Sequence, residues 1–188
     1  MTLTLSQRSG PVEQPLLNQT IGEAFVETAQ RFPGRPALVV RHQGIRWSYA
    51  EYRREVDRFA AALLALGIEP GDRIGIWAPN CVEWCLTQYA TARIGAIMVC
   101  INPAYRLYEL EYALNKVECK AIIAAERFRS NDYLAMLQTL APELARAEPG
   151  KLDAHRLPHL ETVIRMGDTP TPGMFGFDAI RAAVSAAD

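Results

Sequence analysis

Three short runs without a single polar side chain constrain this chain more than any other feature. They are Ile74-Gly75-Ile76-Trp77-Ala78, Ala96-Ile97-Met98-Val99-Cys100-Ile101 and Ala121-Ile122-Ile123-Ala124. A strand with one wet face alternates apolar and polar residues, whereas a strand covered on both faces need not. Val82 to Ile94, mostly apolar and the length of a crossover helix, lies between the first two runs. Between the second and third, Leu107, Leu110, Leu114 and Val117 recur at helical spacing with charges on the other side. Parallel neighbours require such crossovers, and the connection is right-handed. The predicted core is an α/β fold, a largely parallel sheet with strands buried on both faces and flanked by helices. Thr162-Val163-Ile164-Arg165-Met166 supplies a fourth strand and Asp132 to Leu144 another helix.

The segment before this core has its own signals. Thr20-Ile21-Gly22-Glu23 is a capping box, in which the Thr and Glu side chains satisfy free amides at a helix start. Ile21, Phe25, Thr28 and Phe32 follow as the predicted buried stripe, and Pro33-Gly34 stops the helix. Ala37 to Arg41, a turn at Gln43-Gly44 and Ile45 to Trp47 predict a β-hairpin. Ser48-Tyr49-Ala50-Glu51 is a second capping box, opening a helix with Tyr52, Val56, Phe59, Ala60, Leu63 and Leu64 on one stripe and Gly67 beyond its end.

Residues 1–19 lack the basic-then-apolar order of a signal peptide and are expected to be a flexible leader. Residues 149–158 form a polar loop, and Phe177 to Val184 a short helix with three large apolar anchors, Phe177, Ile180 and Val184. So sparse a final element leads to the expectation that residues 20–188 are part of a domain, incomplete at its carboxyl end.

The 188 residues, 49% hydrophobic, suffice for one compact core. A net charge of −1 spread over scattered charges gives no footprint for nucleic acid. No apolar run has the length of a transmembrane segment. Cys81, Cys85, Cys100 and Cys119, without a secretory signal, are expected to be reduced, buried thiols. The expected compartment is the cytoplasm, with association at a membrane surface left open.

In an open parallel sheet, ligands sit outside the carboxyl ends of the strands. Two loops leave such ends here, Pro79-Asn80-Cys81 and Asn102-Pro103-Ala104-Tyr105-Arg106. The commoner role for both Asn residues is to cap the following helices, the alternative being ligand contact. Tyr105 and Arg106 are the side chains of that loop expected to face a cavity. His155-x-x-x-His159 has Pro158 inside it, which argues against a helix presenting both rings on one face. Cys81 and Cys85 have no second pair at metal-binding spacing. Neither G-x-G-x-x-G nor G-x-x-x-x-G-K-[ST] occurs, and no G-x-S-x-G elbow is present. No catalytic residue and no metal ligand is therefore predicted.

Several stretches taken together resemble one family. They are Trp47-Ser48-Tyr49-Ala50-Glu51, the run Gly71-Asp72-Arg73-Ile74-Gly75-Ile76-Trp77-Ala78-Pro79-Asn80-Cys81-Val82-Glu83-Trp84, Ala90 to Ala96, Ile101 to Arg106, and Glu109 to Leu114. Their order and spacing resemble the amino-terminal region of fatty-acyl-CoA synthetases, which are adenylate-forming, AMP-binding ligases. Asn-Pro-Ala-Tyr-Arg followed by Glu-Leu is similar to the medium- and long-chain fatty-acid branch. The resemblance, from about Thr20 to about Ile180, implies the amino-terminal subdomain of that fold. For the whole enzyme it implies ATP, magnesium and CoA: a fatty carboxylate attacks the α-phosphate of ATP, and the CoA thiol then displaces AMP. The family's Ser/Thr/Gly-rich phosphate loop and catalytic lysine have no counterpart in this sequence, so no catalytic residue carries over, and the expected partner is the remainder of a synthetase. Trp84, Asn102, Tyr105 and Arg106 are the candidates for a wall around an acyl or CoA entry. By this expectation the 188 residues alone do not catalyse the ligation. The alternative is a module that binds acyl or CoA groups, or docks on a partner synthetase, without chemistry.

Overall fold

A computed structural model describes residues 9–11, 13 and 15–184. The leader expected over 1–19 falls partly outside them, at 1–8, 12 and 14; its described residues form neither helix nor strand. Helix α1 (Ile21–Arg31) starts at the anticipated capping box, with the Glu23 amide donating to Thr20 Oγ1 at 3.1 Å and the Thr20 amide donating to Glu23 Oε2 at 2.8 Å. Its buried face is Gly22, Phe25 and Ala29; of the four residues at helical spacing Phe25 is buried, Thr28 and Phe32 are half-buried and Ile21 is exposed. The reason is close approach: a Cβ on Gly22 would lie 2.9 Å from the Ala92 carbonyl oxygen, so the helix turns its smallest residue to its neighbour and leaves Ile21 exposed. Strands β1 (Pro36–Val40) and β2 (Ile45–Ser48) pair as the predicted hairpin, through a 3₁₀ turn at Arg41–Gln43. Helix α2 (Tyr49–Ala65) buries Tyr52, Val56, Phe59, Ala60 and Leu63, but leaves Leu64 exposed.

The core follows: β3 (Arg73–Trp77), α3 (Val82–Ile94), β4 (Ile97–Cys100), α4 (Leu107–Lys116) and β5 (Ala121–Ala124). A small hairpin of β6 (Arg127–Phe128) and β7 (Asn131–Asp132) leads into α5 (Tyr133–Leu140). Then come β8 (Thr162–Arg165), β9 (Phe175–Gly176) and α6 (Phe177–Ala182). The sheet order is β4-β3-β5-β8-β9, all parallel. The helix expected to reach Leu144 ends at Leu140 because Pro142 pushes Ala141 off helical geometry (φ −130°, ψ 75°), and a 3₁₀ turn takes over.

Strand alternation splits the core. Ile74, Ile76, Ile123 and Ile164 pack on one side with α1, α2, α3 and α6. Trp77, Ile122, Ala124 and Val163 pack on the other with α4 and α5. β5 and β8 are buried along their whole length, as predicted. β4 corrects the expectation of burial on both faces: it is the sheet edge, with Ile97 and Cys100 exposed. Cys119 alone among the four thiols is fully buried, and Cys81 and Cys85 are half-buried.

Candidate functional site

The loop from Asn102 to Arg106 stands on two stacked rings. Trp77, the last residue of β3, and Tyr133, the first of α5, are parallel within 13° with centroids 3.7 Å apart. Both are fully buried, and a buried aromatic N–H or O–H needs an acceptor. Trp77 Nε1 donates to the Asn102 carbonyl at 3.1 Å, and the Tyr133 hydroxyl donates to the Pro103 carbonyl at 2.6 Å. Burial pushes the Tyr133 phenol up to about 12, which keeps it a donor at neutral pH. Asn102 closes the turn, its Oδ1 accepting from the Ala104 amide at 2.9 Å.

Arg106 ends the loop at the N-cap position of α4, its amide donating to Glu109 Oε2 at 3.1 Å. Its guanidinium Nη1 donates to Asn131 Oδ1 and so ties the loop to the β6–β7 hairpin. Around this pair opens a cleft of about 370 Å³, with Arg106, Ser130, Asn131, Asp132 and Thr139 as polar groups and Leu107 and Met136 as apolar ones. Such a mixed lining suits a ligand with both an apolar body and polar groups. Tyr105 is half-buried and lines a different groove beside β4. Trp84 lies on α3, half-buried in the core on the opposite side of the sheet, and lines neither cleft. Three of the four candidate residues thus share one loop, and Trp84 stands apart.

The loop after β3 departs from expectation too. The N-cap residues of α3 and α4 are Cys81 and Arg106, so neither Asn80 nor Asn102 caps a helix. The first amide of α3, Val82 N–H, donates instead to Gln43 Oε1 at 2.7 Å, reaching across from the hairpin turn. Gln43 Nε2 in turn donates to the Glu83 carboxylate at 3.0 and 3.2 Å. Burial, aided by the Glu83 charge, pushes the Cys81 thiol up to about 12, so it is not poised as a nucleophile.

Asn131, Ser130, Trp77 and Tyr133 were missed as site-forming residues. A tryptophan closing a buried strand was the available signal, since its N–H must find an acceptor near the strand end. The β6–β7 turn carried none, because its left-handed residue is Arg129 (φ 53°) rather than Gly. His155 and His159 are exposed in the loop before β8. Among the described residues no three His, Cys, Asp or Glu converge to hold a metal.

A parallel sheet wound on both faces, with its candidate cleft at the strand carboxyl ends, is a doubly wound α/β frame. Residues 25–176 match the family described as AMP-binding enzyme, and the chain belongs to that family. It is 47% identical over 179 residues to the medium-chain acyl-CoA ligase ACSF2, mitochondrial, of Rattus norvegicus. The alignment covers 95% of this chain and 29% of the rat protein, so the chain spans less than a third of that relative's length. In fold it is similar to the anthranilate CoA ligase AuaEII solved with anthranoyl-AMP (TM-score 0.74, 18% identity), covering 89% of this chain and 29% of that one. It is also similar to the N-terminal domain of FACL13 from Mycobacterium tuberculosis (TM-score 0.71, 24% identity), covering 89% of this chain and 36% of that domain.

Proposed function

We propose that these 188 residues are the amino-terminal scaffold of a medium- to long-chain fatty-acid–CoA ligase. In this reaction ATP and a fatty acid form acyl-adenylate and pyrophosphate, and the CoA thiol then displaces AMP. The observation that carries the proposal is the 47% identity to a medium-chain acyl-CoA ligase along 95% of the chain. In this reading ATP and magnesium are held by the remainder of the synthetase, since the chain aligns with only 29% of the rat protein. This chain supplies part of the wall at the carboxyl edge of the sheet. Arg106 and Asn131 offer charge and hydrogen bonds there, Asn102 shapes their loop, and Tyr105 packs beside it. Trp84 braces α3 from the far side. No described helix is long and apolar enough to cross a membrane. We propose the cytoplasm as its compartment, with the mitochondrion as the alternative because the rat relative is described as mitochondrial.

The test is AMP release in the presence of ATP, magnesium, CoA and decanoate. The chain alone is expected to give none above background. A chimera in which it replaces the matched stretch of the rat ligase is expected to turn over. Turnover by the chain alone, or a folded chimera that binds decanoate and CoA without reacting, refutes the proposal. The second outcome is what a non-catalytic acyl- or CoA-binding module predicts.

A further inference from the structure

The balanced overall charge hides one asymmetric stretch. Between Glu27 and Glu51 there is no acidic residue, while Arg31, Arg35, Arg41, His42 and Arg46 fall inside it, all of them exposed. The fold gathers these cations at the end of α1 and on the hairpin of β1 and β2. Arg53, Arg58, Arg93, Arg156 and Arg181 each pair with a carboxylate, whereas among the described residues none of Arg31, Arg35, Arg41 and Arg46 does. The acidic side chains that flank the patch are engaged already: Glu27 accepts from Gln19, Glu51 from Ser48, and Glu83, beside the hairpin turn, from Gln43. The Arg31 and Arg35 guanidiniums both lie over the Phe32 ring, 5.2 and 4.7 Å from its centroid, and this attraction holds them at the base of the hairpin. The hairpin itself is a firm platform. Leu38, Val40, Ile45 and Trp47 pack inward, and Gln43 pins the turn to α3 through the Val82 amide. The outer face carries Val39, 45% exposed, directly across from Arg46.

An acid-free array of guanidiniums attracts polyanions, and the residues among them decide which kind. Single-stranded nucleic acid is held by stacking on exposed rings as well as by its phosphates, but Trp47 of the hairpin stacks inward on Tyr52 with centroids 6.2 Å apart. What stands outward among the arginines is the branched apolar Val39, which suits the boundary between lipid headgroups and acyl chains. We propose that the outer face of the β1–β2 hairpin, with Arg31 and Arg35 at its base, docks the protein on an anionic phospholipid bilayer. The guanidiniums take the lipid phosphates, and Val39 enters the headgroup boundary. Each arginine near such a surface contributes about fivefold to the partition coefficient. Neither adenylation nor thioester formation enters this docking or its readout.

The test is co-sedimentation of the chain with vesicles of phosphatidylcholine, alone or mixed in equal parts with phosphatidylglycerol. Binding is expected to be at least about tenfold stronger to the anionic vesicles, and to fall as salt rises from about 0.05 M to about 0.5 M. Arg41→Gln with Arg46→Gln is expected to weaken it about 25-fold. Both side chains are exposed, so the urea midpoint of this variant stays with that of the parent. Arg146→Gln with Lys151→Gln removes the same charge from the exposed segment between Leu144 and Leu152, which pack on the other side of the sheet. This control is expected to bind within about twofold of the parent. Equal binding to phosphatidylcholine alone, an Arg41 and Arg46 variant within about twofold of the parent, or an equal loss in the control overturns the proposal. A DNA oligonucleotide that strips the chain from the vesicles at equal phosphate concentration also overturns it, because the partner is then a nucleic acid.

Discussion

Tyr133→Phe isolates a single hydrogen bond beneath the candidate loop. The substitution keeps the ring stacked on Trp77 and removes only the hydroxyl that donates to the Pro103 carbonyl at 2.6 Å. A neutral intramolecular hydrogen bond contributes about 1 kcal/mol net, and a carbonyl left without a partner away from water costs about 1–3 kcal/mol. Tyr133 is fully buried but the Pro103 side of the loop is half-exposed, so partial rehydration puts the expected loss at about 1–1.5 kcal/mol. With a urea slope of about 2 kcal/mol/M, the midpoint falls by about 0.5–0.75 M. Hydrogen exchange of the Ala104 and Tyr105 amides rises in the variant, while the amides of β5 and β8 follow only the global loss. The pH dependence has a definite sign. Burial raises the folded phenol to about 12, above its ordinary value near 10, so its contribution is complete below about pH 10 and is lost as pH rises towards 12. The phenylalanine variant lacks that alkaline loss. A midpoint within about 0.1 M of the parent, with unchanged exchange at Ala104 and Tyr105, refutes the idea that these rings hold the loop.

Three further outcomes are expected. Gly75→Ala places a Cβ 2.9 Å from Ile101 Cδ1 and 3.3 Å from Cys119 Sγ. Urea denaturation should show a loss of about 1–2 kcal/mol, and Ile101→Val, which removes the clashing methyl, should recover part of it in the double variant. Gln43→Ala frees the first amide of α3 and the Glu83 carboxylate, costing about 1 kcal/mol in the same assay and speeding exchange at Val82. Lys120→Met removes the 2.7 Å bond to Asp72 and costs about 1 kcal/mol near neutral pH. Burial opposes ionisation of Asp72, but Lys120 and the Glu69 amide outweigh it and hold its carboxyl below the ordinary value, while the hydrogen bond to Asp72 raises Lys120. The difference between parent and variant is therefore widest from about pH 5 to about pH 10, and closes as pH falls through the carboxylate range or rises through the lysine range.

Much of this architecture was determined by the sequence itself. Local chemistry is enough to start α1 and α2, because Thr20 with Glu23 and Ser48 with Glu51 satisfy amides within three residues of each other. The parallel sheet was legible for a related reason, since a run such as Ile122–Ile123 has no place except under cover on both faces. Tertiary structure alone decided the rest. The same apolar grammar made β4 look like an inner strand, yet its place in the order is set by which neighbours pair, and hydropathy does not encode that. In the site, Asn102 and Arg106 could be picked out by the sheet rule. Asn131, Gln43 and Tyr133 could not, because their partners lie 25, 39 and 30 residues away along the chain. For Trp77 the sequence signals the need for an acceptor, but not that it is the Asn102 carbonyl 25 residues away. Short-range patterns report what a residue does to its neighbours in sequence. Only the folded backbone brings a distant carbonyl within hydrogen-bond reach, and in this protein it does so beneath the loop from Asn102 to Arg106.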